Sequence, residues 1–80
     1  MQVEAEVSLY PLGQRELKPG VKAFIAALRE HGCRVEVGDM SSLITGESEQ
    51  VFDALRQGYD RAASAGGCVL VVKACNVCPV

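Results

Sequence analysis

From Gln2 to Tyr10 the chain alternates, with Val3, Ala5, Val7 and Leu9 in one set and Glu4, Glu6, Ser8 and Tyr10 in the other. A two-residue period puts each set on its own side of an extended chain, so this segment is predicted to be a half-buried strand. Pro11 cannot donate to a ladder and Gly13 permits positive φ, which should stop the pairing there. The period then changes. Val21, Phe24, Ile25 and Leu28 recur at helical spacing, Pro19 suits a first turn and Gly32 suits a left-handed C-terminal cap, which predicts a helix from about Pro19 to His31. Cys33 to Val37 alternates as a second strand. After Gly38-Asp39 a third runs through Leu43-Ile44-Thr45 to Gly46, close enough to the second for an antiparallel hairpin. Ser48 is placed to cap a second helix with Glu47 and Glu49 at its positive end, and Val51, Phe52, Leu55, Tyr59 and Ala62 form its apolar stripe. Gly66-Gly67 ends that helix, and the run from Cys68 to Cys75 is the most β-prone in the chain.

The order strand, helix, strand, strand, helix, strand predicts an α+β, ferredoxin-like βαββαβ sandwich with an antiparallel four-stranded sheet. Right-handed crossovers put both helices on one face and leave the other bare. That face should carry Glu4, Glu6, Ser8 and Tyr10, with Val69, Val71 and Lys73 or the alternate set from the last strand. It is too apolar to suit water and too polar to be a core, so packing against another subunit is expected. Residues 1–80 are expected to form one domain, whose small core gains from oligomerisation.

A formal net charge of −2 and the absence of a Lys/Arg cluster argue against nucleic acid. No apolar run reaches membrane-spanning length, and Glu alternates with Val where a signal peptide would be continuously apolar, so a cytoplasmic location is expected.

Cys75-Asn-Val-Cys78 has the CxxC spacing of a redox pair or half a zinc site, and a thiol-based metal or redox carrier is one reading of it. A thioredoxin-type pair sits at a helix N-terminus, however, and here it follows a strand. Copper chaperones share the strand-helix order but carry their CxxC in the first loop, where this chain has Pro11-Leu12-Gly13-Gln14. Cys33, Cys68 and His31 do not form a second metal-ligand pair, and the thiols read more simply as buried or strand-end groups. His31 is placed to satisfy the last carbonyls of the first helix. No Ser/His/Asp set, Gly-rich phosphate loop or HExxH motif is present, so a binding protein is expected in preference to an enzyme. A purely structural or regulatory oligomer is the third reading.

Two strings carry a resemblance: Val7-Ser8-Leu9-Tyr10-Pro11-Leu12-Gly13, and the hairpin Val35-Glu36-Val37-Gly38-Asp39-Met40-Ser41-Ser42-Leu43-Ile44-Thr45-Gly46-Glu47. With the helix between them and a last strand followed by Asn76 and Pro79, the chain resembles the YkoF-like, MTH-type thiamine-binding family. The resemblance implies non-catalytic binding of thiamine or its hydroxymethylpyrimidine part, in thiamine uptake, salvage or sensing. It implies no other cofactor, and association as a homodimer or homotetramer through the open sheet face. An aminopyrimidine asks for hydroxyls or amides and a flat or soft apolar wall. Ser8, Ser41, Ser42, Thr45 and Asn76 are candidates for the first, Tyr10 and Met40 for the second. A thiazolium ring would favour a carboxylate such as Glu6 or Asp39.

Overall fold

The alternation beginning at Gln2 is realised as a ten-residue strand, β1 (Gln2–Pro11), in a computed structural model that describes residues 1–13 and 18–77. Along the chain follow α1 (Lys18–Glu30), β2 (Arg34–Val37), β3 (Ser42–Glu47), α2 (Ser48–Ser64) and β4 (Cys68–Cys75). The strands form one antiparallel sheet in the order β2-β3-β1-β4. This is the ferredoxin-like α+β arrangement, with β1 and β3 central and β2 and β4 at the edges.

Val3, Ala5 and Val7 of β1 and Ile44 of β3 are buried on one face. They meet Phe24 and Leu28 of α1 and Val51, Ala54, Leu55 and Ala62 of α2. Burying a side chain such as Phe24 or Leu28 contributes about 1.5–3 kcal/mol, so this small aliphatic core holds the two layers together. Gly58 lets the helices close on each other: a Cβ there would lie 2.8 Å from Cδ1 of Phe24.

Several local expectations shift. The buried stripe of α2 is Val51, Ala54, Leu55, Gly58 and Ala62, whereas Phe52 and Tyr59 are 51 % and 39 % exposed. They stand on the flank away from α1, because α1 takes the side to which Gly58 belongs. Ser48 is the first residue of α2 and Glu47 precedes it with no side-chain cap. β3 runs straight into the helix, and the Ser48 amide instead donates to Met1 O at 2.8 Å. Gly32 does take a left-handed conformation, φ +79°, at the end of α1. His31 Nδ1 lies 3.0 Å from Ala27 O there, and Gln50 of α2 donates through Nε2 to His31 O at 2.7 Å.

Main-chain direction follows from two bonds at the ends of β1. Leu12 N donates to Gly67 O at 2.7 Å, and Ser48 N donates to Met1 O. Hydrogen-bonded pairs alternate along an antiparallel ladder, so even-numbered residues of β1 address β4 and odd-numbered ones address β3. Pro11, which lacks an N–H, therefore falls where β4 asks for no donor. On β4, Cys68, Leu70, Val72 and Ala74 turn their main chains to the free edge.

Candidate functional site

β1 outruns its neighbour. Its last pair with β3 is Val7 with Ser42, while Ser8 to Pro11 continue against β4 alone. The two-residue turn Asp39-Met40, closed by Gly38 N donating to Ser41 O at 2.9 Å, stops the hairpin short of the end of β1. The gap so left is a slot of about 190 Å³. Val7 to Tyr10 form one side and Val37 to Ser42 the other, with Val21, Phe24 and Ile25 of α1 as an apolar floor.

Ser42 is the polar residue placed deepest in the slot. It is 9 % exposed, and its hydroxyl takes no partner among the described residues. Two-residue alternation puts its side chain on the helix side of the sheet with Ile44. Ser41, one residue earlier, has the opposite orientation: its hydroxyl donates to Glu6 Oε2 at 3.3 Å on the open face. Ser8 and Tyr10 also carry their side chains to the open face; both border the slot, with their N–H and C=O groups turned to β4. Met40 is 90 % exposed at the tip of the turn and can fold over the slot mouth without leaving a packed position.

Thr45 lies on the open face opposite Arg34, away from the slot. Glu6 is held there between Ser41 and Lys73, whose Nζ lies 3.9 Å from Glu6 Oε1. Asp39 is the carboxylate that borders the slot. Asn76 is at the other end of the molecule: it follows the end of β4, and its Nδ2 lies 3.4 Å from Met1 Sδ. At about 3.3 Å per strand residue, it stands roughly 20 Å from Val69, the partner of Tyr10. The structure therefore brings Ser8, Tyr10, Met40, Ser41 and Ser42 around one slot, turns the Ser41 hydroxyl away from it to Glu6, and sets Asn76 apart. In the sequence the floor residues Val21, Phe24 and Ile25 show only the spacing of a buried helical stripe.

Cys33 is buried, and burial raises its pKa above the ordinary thiol value. Cys33 and Cys68 are free thiols and Cys75 is disulfide-bonded, while Cys78 lies outside the described residues, as do Gln14 and Pro79. Among the described residues no three His, Cys, Asp or Glu side chains converge, and no helix is long and apolar enough to cross a membrane.

Residues 5–74 match the model of a family described as thiamine-binding protein. The fold is shared with MJ1052 of Methanocaldococcus jannascii, at TM-score 0.87 and 23 % identity, over 94 % of this chain and 79 % of that one. A domain of unknown function from Bacillus cereus is similar at TM-score 0.81 and 23 % identity, over 92 % and 74 % of the two chains. So is TM0486 of Thermotoga maritima, described as a candidate thiamine biosynthesis or salvage protein, at TM-score 0.81 and 18 % identity over 92 % and 82 %. No curated protein matches the chain.

Proposed function

The chain belongs to the thiamine-binding protein family, and from that premise we propose that its slot holds the hydroxymethylpyrimidine ring, free or as part of thiamine, without transforming it. The observation that carries this reading is the hydroxyl of Ser42, which opens to the slot from an otherwise buried residue, without a partner among the described residues, beside an apolar floor. A hydroxyl both donates and accepts, so it can meet an exocyclic amine or a ring nitrogen. Size favours one ring. A cavity of about 150 Å³ accommodates benzene, whereas drug-sized ligands occupy roughly 300–1,000 Å³. At about 190 Å³ the slot suits the pyrimidine, leaving a thiazolium ring at the rim near Met40 and Asp39.

Among the described residues, Asp39 and Tyr10 are the ionisable ones bordering the slot, and neither has a second described acid or base beside it there. That arrangement supports binding over catalysis. A place in thiamine uptake, salvage or sensing rests on family membership. Calorimetry tests the site. Ser42→Ala should weaken hydroxymethylpyrimidine by about 1–3 kcal/mol, roughly five- to 150-fold, and Asn76→Ala should not. No heat from the unaltered chain at millimolar ligand would remove the reading.

The same reading includes self-association as a homodimer or homotetramer. β4 is an edge strand whose Val69 and Val71 are 44 % and 53 % exposed on the open face, and Val72 on the helix side is 37 % exposed. An edge so apolar, without Pro or bulge, invites another strand. The occupant best suited to it is a second copy. With two β4 strands antiparallel about a two-fold axis, Leu70 meets Val72, Cys68 meets Ala74 and the free main-chain groups pair, while Lys73 falls opposite Val69 rather than another Lys.

A further inference from the structure

The slot has a polar element besides Ser42, and it belongs to the main chain. Val3, Ala5 and Val7 direct their N–H and C=O groups toward β3, where they pair with Gly46, Ile44 and Ser42. Leu9 is next in this series. Its partner by register would be Met40, but the hairpin has already turned through Gly38 to Ser41. The N–H and C=O of Leu9 therefore point into the slot, and no hydrogen bond satisfies either among the described residues. Pro11, the following odd-numbered residue, offers a carbonyl and no donor. Leu9 is thus the one residue of β1 that presents both groups to the slot.

Lying in an open slot, this donor and acceptor are left to water when no ligand is bound, and beside an apolar floor they are free to pair with a ligand that presents both partners. We infer that Leu9 is a specificity-determining residue of the slot: its carbonyl accepts from, and its N–H donates to, a donor and acceptor on neighbouring atoms of one planar ring edge. This rests on the reading of the slot as the pyrimidine site and adds a demand for ring type. A 4-aminopyrimidine has that edge, with its amine next to a ring nitrogen. A pyrimidine lacking the amine can satisfy only the N–H, and a phenyl ring neither. Ser42, across the slot on β3, remains available to a different atom of the ring. The ligand would stand where the next residue of β3 would have paired, edge-on to β1 with one face toward Phe24.

The test exploits the direction of the Leu9 amide. A chain made by chemical ligation with an ester in place of the Ser8–Leu9 amide loses the Leu9 N–H, keeps the leucine side chain, and retains the Ser8 carbonyl in its bond to β4 as a weaker acceptor, an effect that thermal unfolding of the ester chain reads separately. Calorimetry should show hydroxymethylpyrimidine bound about tenfold or more weakly by the ester chain, as expected for loss of one buried hydrogen bond. The unaltered chain should discriminate against the desamino ring by a similar factor. In the unaltered chain the Leu9 amide proton should exchange fast without ligand and become protected with it, a measurement that requires no variant to fold. Equal affinity in the ester and amide chains, or a Leu9 amide indifferent to bound ligand, overturns this inference alone. Absence of hydroxymethylpyrimidine binding by the unaltered chain overturns the pyrimidine site itself and this inference with it.

Discussion

Replacing Gly58 by alanine separates tertiary packing from helix propensity, because the two act in opposite directions. Inside a helix, Gly→Ala is worth about 1 kcal/mol of added stability. Here the new Cβ would stand 2.8 Å from Cδ1, 3.1 Å from Cε1 and 3.3 Å from the carbonyl oxygen of Phe24. The ring is 2 % exposed and the carbonyl belongs to α1, so relief requires the helices to part. Overpacking of this kind costs about 1–3 kcal/mol. The steric term should win, for a net loss of up to about 2 kcal/mol, and each kcal/mol lowers the melting temperature of a domain this size by about 4–8 °C. Denaturant unfolding should show a lower midpoint with an unchanged slope. Phe24→Leu should reduce the effect, since the smaller side chain lacks the rigid ring and can turn aside, while the contact with the main-chain carbonyl remains. Because Phe24 also floors the slot, Gly58→Ala should weaken ligand binding in parallel. A Gly58→Ala chain as stable as the parent would refute the packing argument.

Arg61 donates twice to Glu30 at 2.8 Å, and these bonds hold the Glu30 carboxyl below the ordinary carboxylate range. The folded chain then binds that proton less readily than the unfolded one, so the pair's contribution is present above the ordinary range and lost as pH falls through the lowered value. Acid titration of stability should be shallower in Glu30→Gln than in the parent, and identical curves would show the pair to be inert. Iodoacetamide should modify half-buried Cys68 before Cys33, whose thiol is buried and held protonated, a sequence that peptide mapping by mass reads directly. Light scattering at micromolar concentration should show a dimer or tetramer, and Val71→Asp should weaken it because the two-fold pairing would set two carboxylates directly opposite each other. A parent that stays at 8.5 kDa well above that concentration would exclude the assembly.

What was legible in the sequence was whatever a short period encodes. The alternation of Val3, Ala5, Val7 and Leu9 defined both faces of β1, and the spacing of Phe24 and Leu28 defined the buried side of α1. Less was legible where the answer depended on a neighbour. Phe52 and Tyr59 satisfy the helical period, yet they are outside the core because α1 occupies the other flank of α2. Ser41 and Ser42 look interchangeable in a turn, but hairpin register turns one toward Glu6 and the other into the slot. Asn76 falls at the end opposite the slot because an antiparallel β4 carries its last residues back toward Met1. The slot is legible only from relative strand lengths, since it exists because β1 continues past the point where the hairpin turns.

Backbone amide shifts of the labelled protein during titration with hydroxymethylpyrimidine test the central claim most directly. The account predicts saturable changes concentrated in Val7 to Tyr10, Val21 to Ile25 and Val37 to Ser42, with the amides of Lys73 to Asn76 unmoved. Changes centred on Glu6, Thr45 and Lys73 would move the site to the open face of the sheet, and a spectrum unchanged at millimolar ligand would contradict pyrimidine binding by this fold.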